Sequence, residues 1–211
     1  MDLRQIHRVD PEYPPSLRAE LDADALPSFA TIGNTDILSA NSIGLICSIK
    51  CPGAIIIKTY DAIREIRDEG LTVVGGFHSP MEKECLAILL RGKQPTIICP
   101  ARSLDGMRIP KEWQKPIDDG RLLIASPFAA SRRRATADLA VVRNNFVAAL
   151  ASFVLIAHAS PGGKVMALAT RLVNQGKPIF TISDPENASL LELGAKPHGL
   201  LLRRTANLDG S

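Results

Sequence analysis

Six short runs in this chain are apolar at nearly every position, and they constrain its fold more than any other feature. They occupy residues 42–48, 71–76, 95–100, 121–127, 152–159 and 177–183. A strand with apolar side chains on both faces must be covered on both sides, which is typical of parallel sheets. Amphipathic helical patterns separate the runs. This alternation predicts an α/β fold with a Rossmann-like, doubly wound, mainly parallel sheet and helices on both faces.

The helical patterns between these runs complete the predicted domain. They cover residues 53–69, 79–92, 138–151, 163–174 and 188–193, whereas residues 101–120 are predicted to be a longer polar connection. We predict three parts: an N-terminal extension (1–40) packed on the core, a Rossmann-like domain (41–200) and a polar, frayed tail (201–211). The extension is rich in proline, with a short helix near 16–21 and an extended run near 29–32.

The composition excludes several classes of protein. With 45% hydrophobic and 22% charged residues, the chain is predicted to be an ordinary soluble globular protein. Its net charge of +3 is too small to indicate nucleic-acid binding by itself. The longest apolar run, 146–159, is shorter than the roughly 20 residues that a membrane span needs. No secretion signal is recognisable at the N-terminus, so we expect a cytoplasmic protein without membrane contact.

The cysteines, four in number, show neither a C-x-x-C pair nor the density of a disulfide scaffold. Three lie in or beside apolar segments and are predicted to be reduced core residues. Neither a metal site nor a cofactor is predicted, because no set of ligands has suitable spacing.

Polar turns follow several of the predicted strands. In an open parallel sheet, ligands bind beyond the carboxyl ends of the strands, where amides at helix N-termini point outward. The turns at 48–53, 75–80, 126–131 and 160–164 are therefore candidates for a site that holds phosphate. Residues 143–145, inside or at the start of a predicted helix, add to these turns. The candidate residues for binding nucleotide or DNA phosphate are Ser48, Lys50, Gly75, Gly76, Arg143, Asn144, Asn145, Ser160, Gly162, Gly163 and Lys164.

Each candidate also has a purely structural explanation. The glycines before Lys164 could expose amides to an anion, or could be flexible turn residues; the spacing of a Walker A loop is absent. Arg143 could form a bidentate fork with phosphate while Asn144 contacts a base or sugar, or these residues could begin a solvated helix face. Under either hypothesis these side chains are exposed, so their replacement should change stability by less than about 0.5 kcal/mol.

Catalytic residues are not predicted. His78 and Glu82 are four residues apart and could resemble an acid–base pair, but Glu82 stands three residues after Ser79, which is the spacing of a capping box. His158 either faces the predicted ligand site beyond the ends of the strands or simply ends a core strand. Residues 131–134, with three consecutive arginines, are either a solvated loop or a DNA contact.

Several motifs, in collinear order over about residues 11–199, resemble the DNA-processing protein A (DprA, or Smf) family. They are "YPPSLRAELDADALPSFATIGNTDIL", "IGLICS", "LTVVGG", "VVRNN", "SPGG" and "LLELGA". Where the family has Gly-Ser-Arg after its first strand, this chain has "CSI" followed by Lys50. The family's Ser-Gly-x-x-x-Gly-Ile-Asp and Arg-Asn-Arg motifs correspond to "GGFHSPME" and "RNN". The N-terminal helical and C-terminal winged-helix domains of many members are not found in these residues.

The resemblance implies a protein that binds single-stranded DNA or a nucleotide phosphate, without chemistry of its own, during DNA uptake (natural transformation) and recombination. It also leaves open contact with a recombinase and self-association. The low aromatic content, 4%, is a point against strong autonomous DNA binding, because single-strand binders use aromatic stacking. Two alternatives remain. One is a nucleotide-processing hydrolase of the phosphoribohydrolase type, because the stretch "VVGGFHSPMEKE" faintly resembles the glycine-rich signature of those enzymes. The other is a small-nucleotide sensor.

Overall fold

A computed structural model describes residues 2–22 and 24–206 of the chain. Its strands are β1 (Arg4–His7), β2 (Ser28–Gly33), β3 (Ser42–Cys47), β4 (Thr72–Gly75), β5 (Thr96–Ile98), β6 (Leu122–Ser126), β7 (Phe153–His158), β8 (Ile179–Thr181) and β9 (Lys196–Pro197). Its helices are α1 (Pro15–Glu20), α2 (Gly53–Asp68), α3 (Pro80–Leu90), α4 (Lys111–Asp118), α5 (Ala137–Leu150), α6 (Lys164–Asn174), α7 (Ala188–Leu193) and α8 (Gly199–Ala206), with short 3-10 segments at Thr35–Ser39 and Pro185–Asn187.

All the described strands form one sheet, in the order β1-β2-β6-β5-β4-β3-β7-β8-β9. The pairs from β6 to β9 are parallel, whereas β1–β2 and β2–β6 are antiparallel. The predicted doubly wound, mainly parallel sheet is confirmed. The strand β7, predicted as a buried core strand, lies between β3 and β8, well inside the sheet.

Two apolar layers cover the two faces of the sheet. Successive residues of β3 point to opposite faces, so Leu45 packs in the layer that contains Ile63 of α2, while Ile46 packs in the layer that contains Phe146 of α5. Burying one such aliphatic side chain contributes about 1.5–3 kcal/mol. Because both layers are large, the central strands are held from both sides, and their carboxyl ends form a rigid edge.

The N-terminal segment attaches to the sheet through a row of aromatic rings. The ring of Phe29 in β2 lies edge-on to Tyr13 at 5.6 Å and to Phe146 at 5.5 Å. The Tyr13 hydroxyl donates a hydrogen bond to the carbonyl oxygen of Leu26 at 2.9 Å, so its buried polar atom is paired. These contacts fix β1 and β2 as an antiparallel extension of the edge beside β6.

The structure contains elements that the apolar pattern does not predict. Only Ile6 of β1 is buried, and in α4, within the supposed polar connection 101–120, the buried residues are Pro116 and Ile117. A short element with one or two buried residues has no detectable periodicity. The start of the predicted tail is also helical, as part of α8, whereas residues 207–211 of that tail lie outside the described residues. No described helix has the length and apolar character to cross a membrane.

The order of the strands creates a crevice beside β3. The strands β4, β5 and β6 lie in succession on one side of β3, and the next strand in sequence, β7, lies on the other side of β3. The connections after β3 and β7 therefore leave the sheet in opposite directions. Ligands of doubly wound folds bind at such a switch point, beyond the carboxyl ends of the strands.

Candidate functional site

A cavity of about 350 Å³, which we call the crevice, lies at the switch point between β3 and β7. Several of the predicted site residues line it: Ser48, Lys50, Arg143, Asn144, Ser160, Gly163 and Lys164. They come from the turn after β3, the middle of α5 and the turn that begins α6. The fold therefore brings together residues that are more than 100 positions apart in sequence.

Ser48 joins the two turns that border the crevice. Its hydroxyl oxygen accepts a hydrogen bond from the Ser160 amide at 3.0 Å, and its own amide donates to the carbonyl oxygen of His158 at 2.9 Å. Ser48 is buried, whereas Ile49 and Lys50 are exposed at the rim. The serine thus has a structural partner, and the lysine is the group in this turn that is able to meet a ligand in solvent.

The helix α6 points its N-terminus at the crevice. Gly163 caps the helix with extended backbone and no side-chain hydrogen bond, so the first amides of α6 lack the acceptor that a serine or aspartate would supply. Gly162, just before it, has a φ of +65°, a conformation that favours glycine. Free amides and the positive end of the helix dipole favour an anion at this position.

Lys164, the first residue of α6, adds a positive charge beside these amides. Its ammonium nitrogen lies 3.4 Å from a carboxylate oxygen of Asp138, and the two side chains are 63% and 96% exposed. An exposed ion pair of this kind contributes little, because water and salt screen it. The lysine is therefore available to an anionic ligand.

Arg143 is buried, and the prediction that its side chain is exposed is wrong. It lies in the middle of α5 and is only 4% exposed. Its Nε donates to Oδ1 of Asn144 at 2.7 Å, and its Nη1 donates to the carbonyl oxygen of Cys99 at 3.3 Å. Burial lowers the pKa of the guanidinium, while the nearby Glu82 opposes this shift. An arginine remains charged in proteins, so a fixed positive charge lies beneath the crevice.

Gly75 and Gly76 make room for side chains. A Cβ on Gly76 would lie 1.3 Å from Nη1 of Arg143, and one on Gly75 would lie 3.0 Å from the ring of Phe77. Gly76 lines a second cavity on the other side of Arg143, while Gly75 ends the buried strand β4. Neither glycine lines the crevice, and packing accounts for both.

Replacing Gly76 by alanine should displace the Arg143 guanidinium, because the new methyl group overlaps it. The displacement breaks its hydrogen bonds to Asn144 and to the carbonyl oxygen of Cys99, so the protein should be destabilised by about 1–3 kcal/mol. The matched control is Gly53→Ala at the start of α2, where a Cβ would meet nothing within 4 Å. That variant should be stabilised by about 0.4–1 kcal/mol, because alanine restricts the unfolded chain. Urea denaturation measures both, and a loss in Gly53→Ala equal to that in Gly76→Ala would contradict the prediction.

Two further candidates lie outside the crevice. Oδ1 of Asn145 accepts a hydrogen bond from Arg171 at 2.8 Å, and Asn145 lines a groove between α5 and α6. Gly162 shapes the turn before α6 and is not part of the lining. By contrast, Asn144 lines the crevice and orients the Arg143 guanidinium.

The acid and base candidates have structural partners. The carboxylate of Glu82 accepts hydrogen bonds from the amides of Ser79 at 2.9 Å and His78 at 3.2 Å, and the Ser79 hydroxyl accepts from the Glu82 amide, which confirms the capping box. The ring of His158 is buried and bonds through Nδ1 to Oδ1 of Asn187 at 2.9 Å. His158 therefore ends the core strand instead of facing the crevice.

The cysteines are free thiols, and Cys47, Cys85 and Cys99 are buried as predicted. A hydrogen bond with Cys51 and burial raise the pKa of the Cys47 thiol, which lines the crevice, far above its ordinary value. That thiol is neutral and adds no negative charge to the site. No group of three or more His, Cys, Asp or Glu side chains that could hold a metal ion occurs in residues 2–22 and 24–206.

The crevice combines positive charge with an apolar wall. Among its described lining residues are three cationic side chains (Lys50, Arg143 and Lys164) and a single carboxylate, that of Glu82. The apolar wall includes Ile49, Val165 at the start of α6, and Ala137, Ala140 and Val141 of α5. None of these apolar residues is among the predicted site residues, although the three on α5 have the spacing of one helix face. Ile49, 79% exposed, has no sequence signal that separates it from a core residue.

The chain matches a known protein family over almost its whole length. The model of the family described as DNA recombination-mediator protein A matches residues 4–197. No curated protein sequence matches the chain significantly.

Solved structures share the fold. DNA processing protein A from Streptococcus pneumoniae superposes with a TM-score of 0.76 at 21% identity, covering 93% of this chain and 71% of that one. The protein of the same name from Helicobacter pylori, whose structure addresses its single-stranded DNA binding mode, has a TM-score of 0.68 at 18% identity and covers 98% and 89%. A molybdenum cofactor binding protein from Rippkaea orientalis is more distant, with a TM-score of 0.54, 15% identity and coverage of 79% and 97%.

Proposed function

Because the chain belongs to the DNA recombination-mediator protein A family, we propose that it acts in DNA processing by binding single-stranded DNA through phosphates held in the crevice. The observation that carries this proposal is the convergence of Lys50, Lys164, Arg143 and the uncapped N-terminus of α6 on one cavity. The H. pylori relative, which shares the fold, is described as binding single-stranded DNA.

The groups around the crevice divide into two roles in this proposal. Lys50 and Lys164 are exposed and make direct phosphate contacts together with the first amides of α6. Arg143 is buried and contributes its charge from beneath, and Ser48 and Ser160 hold the two turns together. Such contacts recognise the backbone and not the base sequence, so binding should be general for single strands.

The packing of Gly75 and Gly76 argues against the hydrolase alternative. These glycines provided the resemblance to a phosphoribohydrolase signature, yet they make room for Phe77 and Arg143. The Glu82 carboxylate, also part of that resemblance, is engaged in the capping box. We propose a binding function without catalysis at this site.

Family membership is the sole support for three further proposals. We propose that the protein acts in the cytoplasm, that it contacts a recombinase, and that it associates with other copies of itself.

Fluorescence anisotropy of a labelled deoxythymidine strand tests the proposed function. We expect the strand to bind more tightly than duplex DNA of equal length, because the crevice is a single cavity of about 350 Å³ and a duplex is wider than one strand. A free mononucleotide should also bind more weakly, because it offers fewer phosphates. With two or three phosphates contacted, affinity should fall roughly 7- to 18-fold between about 50 and 200 mM salt. Tight, salt-insensitive binding of the mononucleotide with release of its base would overturn the proposal in favour of a hydrolase.

A further inference from the structure

A second cavity, of about 440 Å³, lies between α3 and the segment that leads from β5 into α4. We call it the Trp113 cavity, after the only tryptophan of the chain, which lines it. Its apolar wall comprises Phe77, Leu86, Ala87, Leu90, Ile98 and Trp113. Lys83, Arg102 and Glu112 also line it, and each of these is at least partly exposed to solvent.

This cavity adjoins the crevice. Arg143 and His78 line both, so the buried guanidinium separates one cavity from the other. The chain reaches this arrangement through Gly76, the residue whose missing side chain leaves room for Arg143. A ligand that follows the surface from the crevice past His78 therefore enters the Trp113 cavity next.

We propose that the Trp113 cavity binds one nucleobase of the strand whose phosphate occupies the crevice. The inference rests on the proposed function and adds to it a base-binding subsite. It explains how a chain with only 4% aromatic residues holds single-stranded DNA, because one tryptophan placed beside the phosphate site supplies a stacking surface.

The chemistry of the lining fits a nucleobase. The volume lies within the range of small-molecule pockets, and such pockets are mostly apolar with a few polar groups that fix orientation. A base has a flat aromatic body that suits the wall formed by Trp113 and Phe77. Its edge carries both acceptors and donors, which match the cations Lys83 and Arg102 and the carboxylate of Glu112.

Two strands of equal length and charge test the proposal, one of deoxythymidine and one with an abasic backbone. Trp113 emission reports the cavity directly, because the chain has no other tryptophan. We expect the deoxythymidine strand to change this emission with the same midpoint as its anisotropy. The abasic strand should bind roughly 5- to 150-fold more weakly, the range that stacking of one base supplies, and should leave the emission unchanged.

A variant that fills the cavity provides the second arm. Ala87→Leu adds bulk to the wall of the cavity at a partly exposed position of α3. It should reduce deoxythymidine binding to the abasic level and leave abasic binding as in the wild type. The matched control is Ala188→Leu, at an exposed position of α7 outside both cavities, which should bind both strands normally. If circular dichroism shows that Ala87→Leu is unfolded, Trp113→Ala replaces it in the same anisotropy comparison.

The outcomes separate this inference from the function on which it rests. Equal affinity of the two strands for the wild type, or unchanged deoxythymidine binding in a folded cavity variant, would overturn the base subsite and leave the phosphate crevice intact. If neither strand binds the wild type, both the proposed function and the base subsite are rejected.

Discussion

Replacing Lys50 and Lys164 together by glutamate should weaken binding of single-stranded DNA by at least about 100-fold. Each lysine is exposed at the crevice and is proposed to contact a phosphate. A charge-assisted hydrogen bond is worth about 1.5–3 kcal/mol, so the removal of two corresponds to two orders of magnitude or more. The introduced carboxylates also repel the backbone. Anisotropy titrations at several salt concentrations measure the affinity. The slope of the logarithm of the association constant against the logarithm of the salt concentration should become less negative by about 0.7 for each phosphate that the variant leaves without a lysine partner.

A control of identical charge distinguishes a local site from a general attraction. Lys93→Glu with Lys196→Glu changes the net charge from +3 to −1, as the crevice variant does, but at exposed positions that do not line the crevice. This control should lose less than about tenfold in affinity, because neither lysine lines the crevice and salt screens exposed charges that do not contact the ligand. Equal losses in the two double variants would show that the crevice is not the binding site.

The double variant with glutamate at Lys50 and Lys164 should lose binding but keep nearly the stability of the wild type. Lys164 is the first residue of α6, where a negative charge interacts favourably with the helix dipole by about 0.3–1 kcal/mol. Its weak pair with Asp138 is replaced by a repulsion of similar size, so the free energy of unfolding should stay within about 1 kcal/mol of wild type. A large loss of binding without a loss of stability is what a ligand site predicts.

The sequence predicts the elements that are buried on both faces and misses those that are not. The strands β3, β4, β6 and β7 are buried at every position and mostly apolar, because helices cover both sides of the sheet. The short strand β1 has one buried residue, and β9 has none. Their positions depend on backbone pairing with a neighbour, which leaves no pattern in the side chains.

Some residues of the site can be predicted from the sequence around them, whereas others depend on contacts between distant parts of the chain. The turns at Lys50 and at Gly163–Lys164 are recognisable because each follows an apolar strand, and the fold places such turns at one edge. The roles of Gly76 and Arg143 are not recognisable, because they depend on a contact between residues 67 positions apart. A polar cluster in a helix has the same sequence whether it faces solvent or is buried beneath a cavity.

Arg143→Ala should therefore destabilise the protein by about 2–4 kcal/mol, well above the roughly 0.5 kcal/mol expected for an exposed side chain. Arg143 is 4% exposed, and its guanidinium donates to the carbonyl oxygen of Cys99, which would lose this donor. Glu82, also buried, would lose a nearby positive charge. Urea denaturation monitored by circular dichroism measures the change, provided that the slope of the transition is unchanged.

Asn144→Ala is the matched comparison, because it removes the neighbouring polar group at a partly exposed position of the same helix turn. It should cost less than about 1 kcal/mol, since it leaves the Arg143 charge and its bond to Cys99 in place. At a temperature where Arg143→Ala is folded, this variant should bind single-stranded DNA more weakly than the wild type. The salt dependence of its affinity should equal that of the wild type, because a buried guanidinium does not contact a phosphate directly and so releases no counterion from the DNA. A free energy of unfolding within about 0.5 kcal/mol of wild type, together with a flatter salt dependence, would instead identify Arg143 as an exposed phosphate ligand.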